Sequence, residues 1–181
     1  DGAAAEGRAG ENEVPFVVAF QGERGAYSEQ AIFELLGRSH VSAKGFSSFD
    51  MCFAAATSGD VDLIMVPIEN NLGGTIHANF DLQLQHNLFI IAEYDFNVKH
   101  CLLALPGTKK ADLKKIMSHP QALAQCDSYV KRLAVPSEAV YDTAGSAKMV
   151  AEGRLEGVAA ICSGIAAKHY GLEVLEENIE D

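Results

Sequence analysis

Five consecutive apolar residues, Phe16 to Phe20, open the patterned part of the chain. A short apolar run bounded by turn residues reads as a buried strand. Gly22 and Gly25 mark a tight loop behind it, and Tyr27, Ala31 and Leu35 then recur four apart, the spacing of one helix face. Gly37 is a natural stop for that helix. A strand, a glycine loop and a helix make the first half of a βαβ unit.

The same order repeats along the chain. The pattern predicts a strand over Ala43–Phe46, a helix over Phe49–Ser58 capped by Ser47 or Ser48, and an apolar strand over Leu63–Ile68. The polar tip Glu69–Asn71 and the pair Gly73–Gly74 precede a helix carrying Ile76, Phe80 and Leu84 on one face, and Leu88–Tyr94 reads as a further strand. After this come a strand at His100–Leu105, a short helix at Ala111–Ile116 and a strand tip at Met117–Ser118. Pro120 suits the first turn of the helix that follows, QALAQCDSYVKRL. A strand at Ala139–Tyr141, a helix from Thr143 or Ser146, a strand at Val158–Ser163 and a helix ended by Gly171 complete the series. The segment around Phe46-Ser47-Ser48 and its helix has a weak counterpart at Tyr141-Asp142-Thr143 and its helix.

This order predicts an α/β protein of two similar lobes around a cleft. Lobe 1 covers about 14–94 and lobe 2 about 98–175, with a crossover near 92–100 and the C-terminal end crossing back. Residues 1–13, rich in Ala, Gly and charge without periodicity, read as a disordered tail or linker. Four polar tips fall at the carboxyl ends of strands, where open α/β sheets place ligands. They are GERGAYS, PIENNLGGT, SHPQALAQC and DTAGS. Each leads into a helix, whose free N–H groups and dipole favour anions.

Charge sharpens that reading. The 181 residues carry a formal net charge of -11, which argues against nucleic acid and anionic membranes as partners. An acidic protein holds an anionic substrate only with local devices, and Arg24 and His77 are the basic side chains nearest the tips. No apolar run reaches the roughly 18 residues of a membrane span. Cys52, Cys101, Cys126 and Cys162 are dispersed, with no metal-ligand spacing, so neither a metal nor a disulfide is expected. Reduced thiols in apolar settings imply a reducing compartment.

The motifs then become specific. The segments PIENNLGGTIHANFDLQL, VKHCLLALPG, SHPQALAQC and DTAGSAKMVAEG resemble the blocks of prephenate dehydratases. FQGERGAYSEQA resembles that family's opening block, and YGLEVLEENIED its closing one. The wording of GGTIHANFDLQL and HPQALAQC is especially similar to arogenate dehydratases of the plant type. The resemblance covers roughly residues 16–181 in family order.

The resemblance implies a fold similar to type II periplasmic binding proteins and a cofactor-free lyase. Prephenate would become phenylpyruvate by decarboxylative dehydration, on the route to phenylalanine. The alternatives are arogenate dehydratase, which yields phenylalanine directly, or a non-catalytic module that binds small anions. By matching blocks, Glu69, Asn70, Ser118 and Gln125 carry the chemistry. Asn70 and Gln125 would orient substrate oxygens and Ser118 would donate a hydrogen bond. Ser28, Gly73, Gly74, Thr75, His119, Thr143, Ala144 and Ser146 would line the substrate site, with Ser28 and Thr143 on a carboxylate. The residues also admit plainer roles: Ser118 as a cap, Glu69 as a solvated acid, His119 as packing, His100 as a core or hinge histidine, and His77 with Asp81 as a surface pair. The family assigns help to the departing hydroxyl to the Thr of an Asn-x-Thr-Arg-Phe block. That block, and a regulatory ACT domain, would follow Asp181, so the 181-residue chain is expected to turn over weakly. The expected partner is the small-molecule substrate, with a homo-oligomer (dimer or tetramer) for the full-length protein. The compartment would be bacterial cytoplasm or plastid stroma.

Overall fold

The computed structural model describes residues 15–71 and 73–181. The tail predicted for 1–13 lies outside them. The first apolar run forms β1 (Phe16–Gln21). It lies between β2 (Val41–Phe46) and β3 (Leu63–Ile64) in a parallel sheet of order β2-β1-β3. Helix α1 (Tyr27–Leu36) ends at Gly37, and α2 (Phe49–Ser58) starts under a Ser48 cap that accepts from the Met51 N–H. Both boundaries are those the turn residues predicted.

The second sheet has five strands in the order β10-β6-β9-β7-β8. They are β6 (Cys101–Ala104), β7 (Lys115–Ser118), β8 (Ser137–Ala139), β9 (Val158–Cys162) and β10 (Glu173–Glu177). Strands β7, β8 and β9 run parallel, whereas β6 runs antiparallel to β9 and β10. Helices α4 (Pro120–Gln125), α5 (Asp127–Leu133), α6 (Thr143–Glu152) and α7 (Gly164–Tyr170) connect them. A small hairpin, β4 (Glu69–Asn70) with β5 (Gly74–Thr75), and helix α3 (His77–His86) complete the first half.

Several predicted elements differ: the helix predicted after Pro120 breaks at Cys126 into α4 and α5, and the strand predicted over Ala139–Tyr141 is shifted to Ser137–Ala139. The strand over Leu63–Ile68 pairs only at Leu63–Ile64, because β1 offers a partner for those two residues and the chain then departs from it. The strand over Leu88–Tyr94 does not form. Among the described residues this run has no pairing partner, and Phe89 stays 83% exposed. An apolar run makes a strand only where a neighbour takes up its backbone groups. The helix over Ala111–Ile116 is instead a single 3₁₀ turn at Lys110–Asp112, and β7 already starts at Lys115. The face predicted for α3 is also not a core face, since Leu84 is exposed while Asn79 is buried and donates to the Pro67 carbonyl at 2.8 Å.

The largest apolar cluster joins the two sheets. Val18, Phe20 and Ile32 of the first half pack with Leu103, Ala144, Ala147, Val150, Cys162 and Ala166 of the second. Full burial of side chains of this kind contributes about 1.5–3 kcal/mol each. Cys52, Cys101, Cys126 and Cys162 are all buried free thiols. Burial pushes Cys126 and Cys162 up to about 12, so both stay protonated.

The two halves approach closely at the β1–α1 loop. The Ser163 hydroxyl donates to the Gly25 carbonyl at 2.5 Å. Gly25 has φ +90, and a Cβ built there would come 2.8 Å from the Ala166 Cα. Both conditions demand glycine. Gly25→Ala is therefore expected to lower stability by about 2–3 kcal/mol, from the combined strain and clash. Urea unfolding measures it, and a change below about 0.5 kcal/mol would show that the loop is not docked in this way.

Candidate functional site

The polar tips meet in pairs across the two halves. The β1–α1 loop faces the start of α6, with Gly22 (φ +119) so near Asp142 that a Cβ would lie 2.9 Å from Oδ2. The tip of the β4–β5 hairpin faces α4, where a Cβ on Gly73 would lie 3.0 Å from the Gln121 Nε2. Glycine at these two positions lets one tip sit against the other. An open depression of ≈ 630 Å³ lies elsewhere, lined by Leu105–Thr108, Ala111–Lys114, Glu156 and Gly157. It gathers none of the predicted site residues.

Asp142 caps α6, accepting the Gly145 N–H at 2.7 Å through Oδ1. Burial raises the pKa of this carboxyl, while the Gly145 and Ala144 N–H groups and His119 oppose the rise. The Tyr141 ring covers Gly145, where a Cβ would meet its Cζ at 2.5 Å. Lys148, one turn into α6, reaches Glu23 of the facing loop at 3.1 Å. Lys148 is therefore a cation at this mouth. The tip motif does not single it out, because it lies two residues beyond DTAGS and five after Thr143. On α6 that distance is little more than one turn, which brings it back toward the tip.

Several predicted residues gather here. Thr143 is the first residue of α6, Ala144 is buried behind it, and Ser28 is in the first turn of α1. His119 caps α4, its Nδ1 accepting the Gln121 N–H at 3.2 Å. Asn70 accepts the Gly73 N–H at 3.2 Å, which ties the hairpin tip together. Gly73, Gly74, Thr75 and Glu69 are exposed on that hairpin. Two hydroxyls are committed inside the protein. Ser118 is fully buried and donates to the Ile161 carbonyl at 2.6 Å, binding β7 to β9. Ser146 is likewise buried and donates to the Thr143 carbonyl at 2.5 Å. His77 and Asp81 are both exposed and form no ion pair among the described residues, so the predicted surface pair does not form.

Gln125 belongs to a chain of hydrogen bonds that the sequence did not disclose. Its Oε1 lies 2.7 Å from the His100 Nε2, and the His100 Nδ1 lies 2.6 Å from the Tyr27 hydroxyl. An amide oxygen only accepts, so Nε2 carries the proton and Nδ1 accepts from Tyr27. Burial lowers the pKa of His100 despite the Gln125 bond and the Glu180 charge, which favours the neutral ring. The C-terminal residues clasp the same pair. Glu180 accepts the His100 N–H at 2.9 Å, Ile179 donates to the His100 carbonyl at 3.1 Å, and Asp181 donates to the Gln125 carbonyl at 2.8 Å.

The arrangement offers helix N-termini, an amide and a hydroxyl to an anion, with Lys148, paired to Glu23, at the mouth and the half-buried Asp142 carboxylate beside it. Among the described residues no cluster of His, Cys, Asp or Glu has the geometry to hold a metal. No helix among them is long and apolar enough to cross a membrane.

Comparisons with known proteins identify the family. The family described as prephenate dehydratase matches residues 18–181. "Arogenate dehydratase/prephenate dehydratase 2, chloroplastic" of Arabidopsis thaliana is 47% identical over 164 residues, covering 91% of this chain and 42% of that protein. Arogenate dehydratase 2 of Petunia hybrida is also 47% identical, over 91% of this chain and 41% of that protein. The chain thus spans about two fifths of the length of these relatives. Among solved structures, prephenate dehydratase of Arthrobacter aurescens in complex with L-Phe superposes with a TM-score of 0.83 at 30% identity, over 91% of this chain and 56% of that one. A protein described as a novel type of quorum quenching acylase superposes with a TM-score of 0.82 at 38% identity, over 91% of this chain and 60% of that one. The two α/β halves are those of the fold seen in the prephenate dehydratase structure. With paired tips in family order and a match over nearly all of its described length, the chain belongs to the prephenate dehydratase family.

Proposed function

We propose that this chain is the catalytic region of a lyase that dehydrates and decarboxylates prephenate to phenylpyruvate. The reaction balances without a cofactor. The ring carboxylate leaves as CO2, its bonding electron pair moves through the ring diene, and the ring hydroxyl leaves with a proton as water. Aromatisation drives both losses. The protein's task is to hold a dianion, exclude other geometries and donate to the departing oxygen.

The observation that carries this reading is the pairing of tips from both halves, Gly22 against Asp142 and Gly73 against Gln121. It sets the start of α1 against the start of α6, and the Asn70 hairpin against the first turn of α4, the helix that ends at Gln125. Ser28, Thr143 and the first N–H groups of these helices take the carboxylates, helped by Arg24 and Lys148. Asn70 and Gln125 orient the substrate oxygens. Ser118 fixes the β7 tip through Ile161, and Glu69 stands at the rim. The family resemblance assigns help for the hydroxyl to the Thr of an Asn-x-Thr-Arg-Phe block, which is not among these 181 residues. A dimer or tetramer, and a plastid or bacterial cytoplasmic setting, accompany this reading, the plastid supported by relatives described as chloroplastic.

One observation favours a second reading, arogenate. Arogenate differs by an ammonium where prephenate has a keto group. The Asp142 carboxylate is half-buried at the mouth and turns Oδ2 toward Gly22. Such a carboxylate suits an ammonium and repels a second anion.

Two outcomes are expected from the whole protein assayed with both substrates. Gln125→Ala and Asn70→Ala should each lower kcat/KM about 10- to 100-fold while changing stability by no more than about 1–2 kcal/mol. Wild-type turnover in both variants would remove this site from the chemistry. Asp142→Asn keeps the cap, because Asn caps as well as Asp. If Asp142 recognises the ammonium, the variant lowers kcat/KM for arogenate about 10-fold or more and spares prephenate. Equal losses on both substrates would leave the prephenate reading alone.

A further inference from the structure

We propose that His100 is a positioning residue that sets the orientation of the Gln125 amide for the substrate. The inference rests on the reading of Gln125 given above and adds a residue to it. The His100 ring is 1% exposed, so it does not itself touch a ligand. Each ring nitrogen has one partner, the Tyr27 hydroxyl at 2.6 Å and the Gln125 Oε1 at 2.7 Å.

A glutamine amide has two nearly isosteric faces, oxygen and NH2, and nothing in its own shape selects between them. The neutral imidazole does select. The His100 Nδ1 is the one hydrogen-bond partner of the Tyr27 hydroxyl among the described residues, and burial keeps that hydroxyl protonated, so its proton goes to Nδ1. That donor fixes the ring proton on Nε2, and the Nε2 proton fixes Oε1 toward the ring. The Gln125 NH2 then points the other way, and it makes no hydrogen bond among the described residues. The amide is presented as a donor with both hydrogens free, which suits a carboxylate or carbonyl oxygen of the substrate. A ring buried in this way, held by its backbone to Glu180 and Ile179, fixes the geometry without loss of side-chain freedom on binding.

The arrangement also couples the halves. Tyr27 opens α1 in the first half, whereas His100 precedes β6 and Gln125 ends α4 in the second. The direction of the amide in one half is therefore set by a hydroxyl from the other.

A double-mutant cycle with phenylpyruvate as the probe tests this on the 181-residue chain by calorimetry, with thermal unfolding as the check on folding. Gln125→Ala and His100→Phe should each weaken binding, His100→Phe about 10-fold. Combined, they should bind no more than about 2-fold worse than Gln125→Ala alone, because His100 acts through that amide. His100→Gln restores a donor near the Nε2 position and should recover binding to within about 3-fold of the parent chain. Additive losses in the double variant would overturn the proposal. So would parental binding in a folded His100→Phe. If His100→Phe does not fold, His100→Gln decides alone, and a loss as large as that of Gln125→Ala refutes the positioning role. If the parent chain does not bind phenylpyruvate, or if Gln125→Ala binds as well as the parent, the Gln125 reading itself fails and this inference falls with it.

Discussion

The site depends on how closely two backbones approach at the β1–α1 loop. Gly25 leaves no space for a Cβ above Ala166, and Ser163 closes the contact with a hydrogen bond to its carbonyl. The Gly25 N–H is also used, donating to the buried Glu29 at 2.6 Å, and Glu29 in turn lies 3.3 Å from His169 of α7. With that loop pinned to α7, the first turn of α1 has a fixed position relative to the second sheet. Gly22 then faces Asp142, Glu23 reaches Lys148, and Tyr27 reaches His100. Two polar contacts between the halves, and the close approach of Gly22 to Asp142, thus follow from one steric condition. The large apolar cluster beneath supplies the energy, but it is non-directional and could not by itself set these distances.

An acidic chain that holds a dianion must concentrate its favourable field locally. Backbone N–H groups at helix starts do this without adding net charge, and they cost no side-chain entropy. The half-buried Asp142 works against that field, because it spends one oxygen on the α6 start and keeps the other at the mouth. On the proposed function, a carboxylate in this place favours a ligand that offers both an anion and a hydrogen-bond donor or cation.

Elements bounded by glycine or a cap were legible in the sequence. Gly37, Ser48, Pro120 and Gly171 mark helix ends that the structure keeps, because cap chemistry is local. Apolar runs without such limits were not. Leu63–Ile68 and Leu88–Tyr94 have strand composition, yet pairing depends on a neighbour far away in sequence. The family blocks located the tips, while the roles inside them needed coordinates. Ser118 and Ser146 look like ligand hydroxyls in the motif and are turned to internal carbonyls in space. His100 looked like a core histidine, and it is buried, but its two ring nitrogens join residues from both halves. No spacing rule brings Tyr27, His100 and Gln125 together, since strand and helix packing over long sequence separations does so.

The central claim is that one face, built from the tips of both halves, binds a substrate-like anion. Amide chemical shifts of the 15N-labelled chain, followed during titration with phenylpyruvate, test it most directly. The account predicts saturating shifts confined to the tips: Gly22–Ser28, His119–Gln125, Thr143–Ser146 and the Asn70–Thr75 hairpin. Shifts gathered instead around the depression at Leu105–Lys114, or in only one of the two halves, would contradict it.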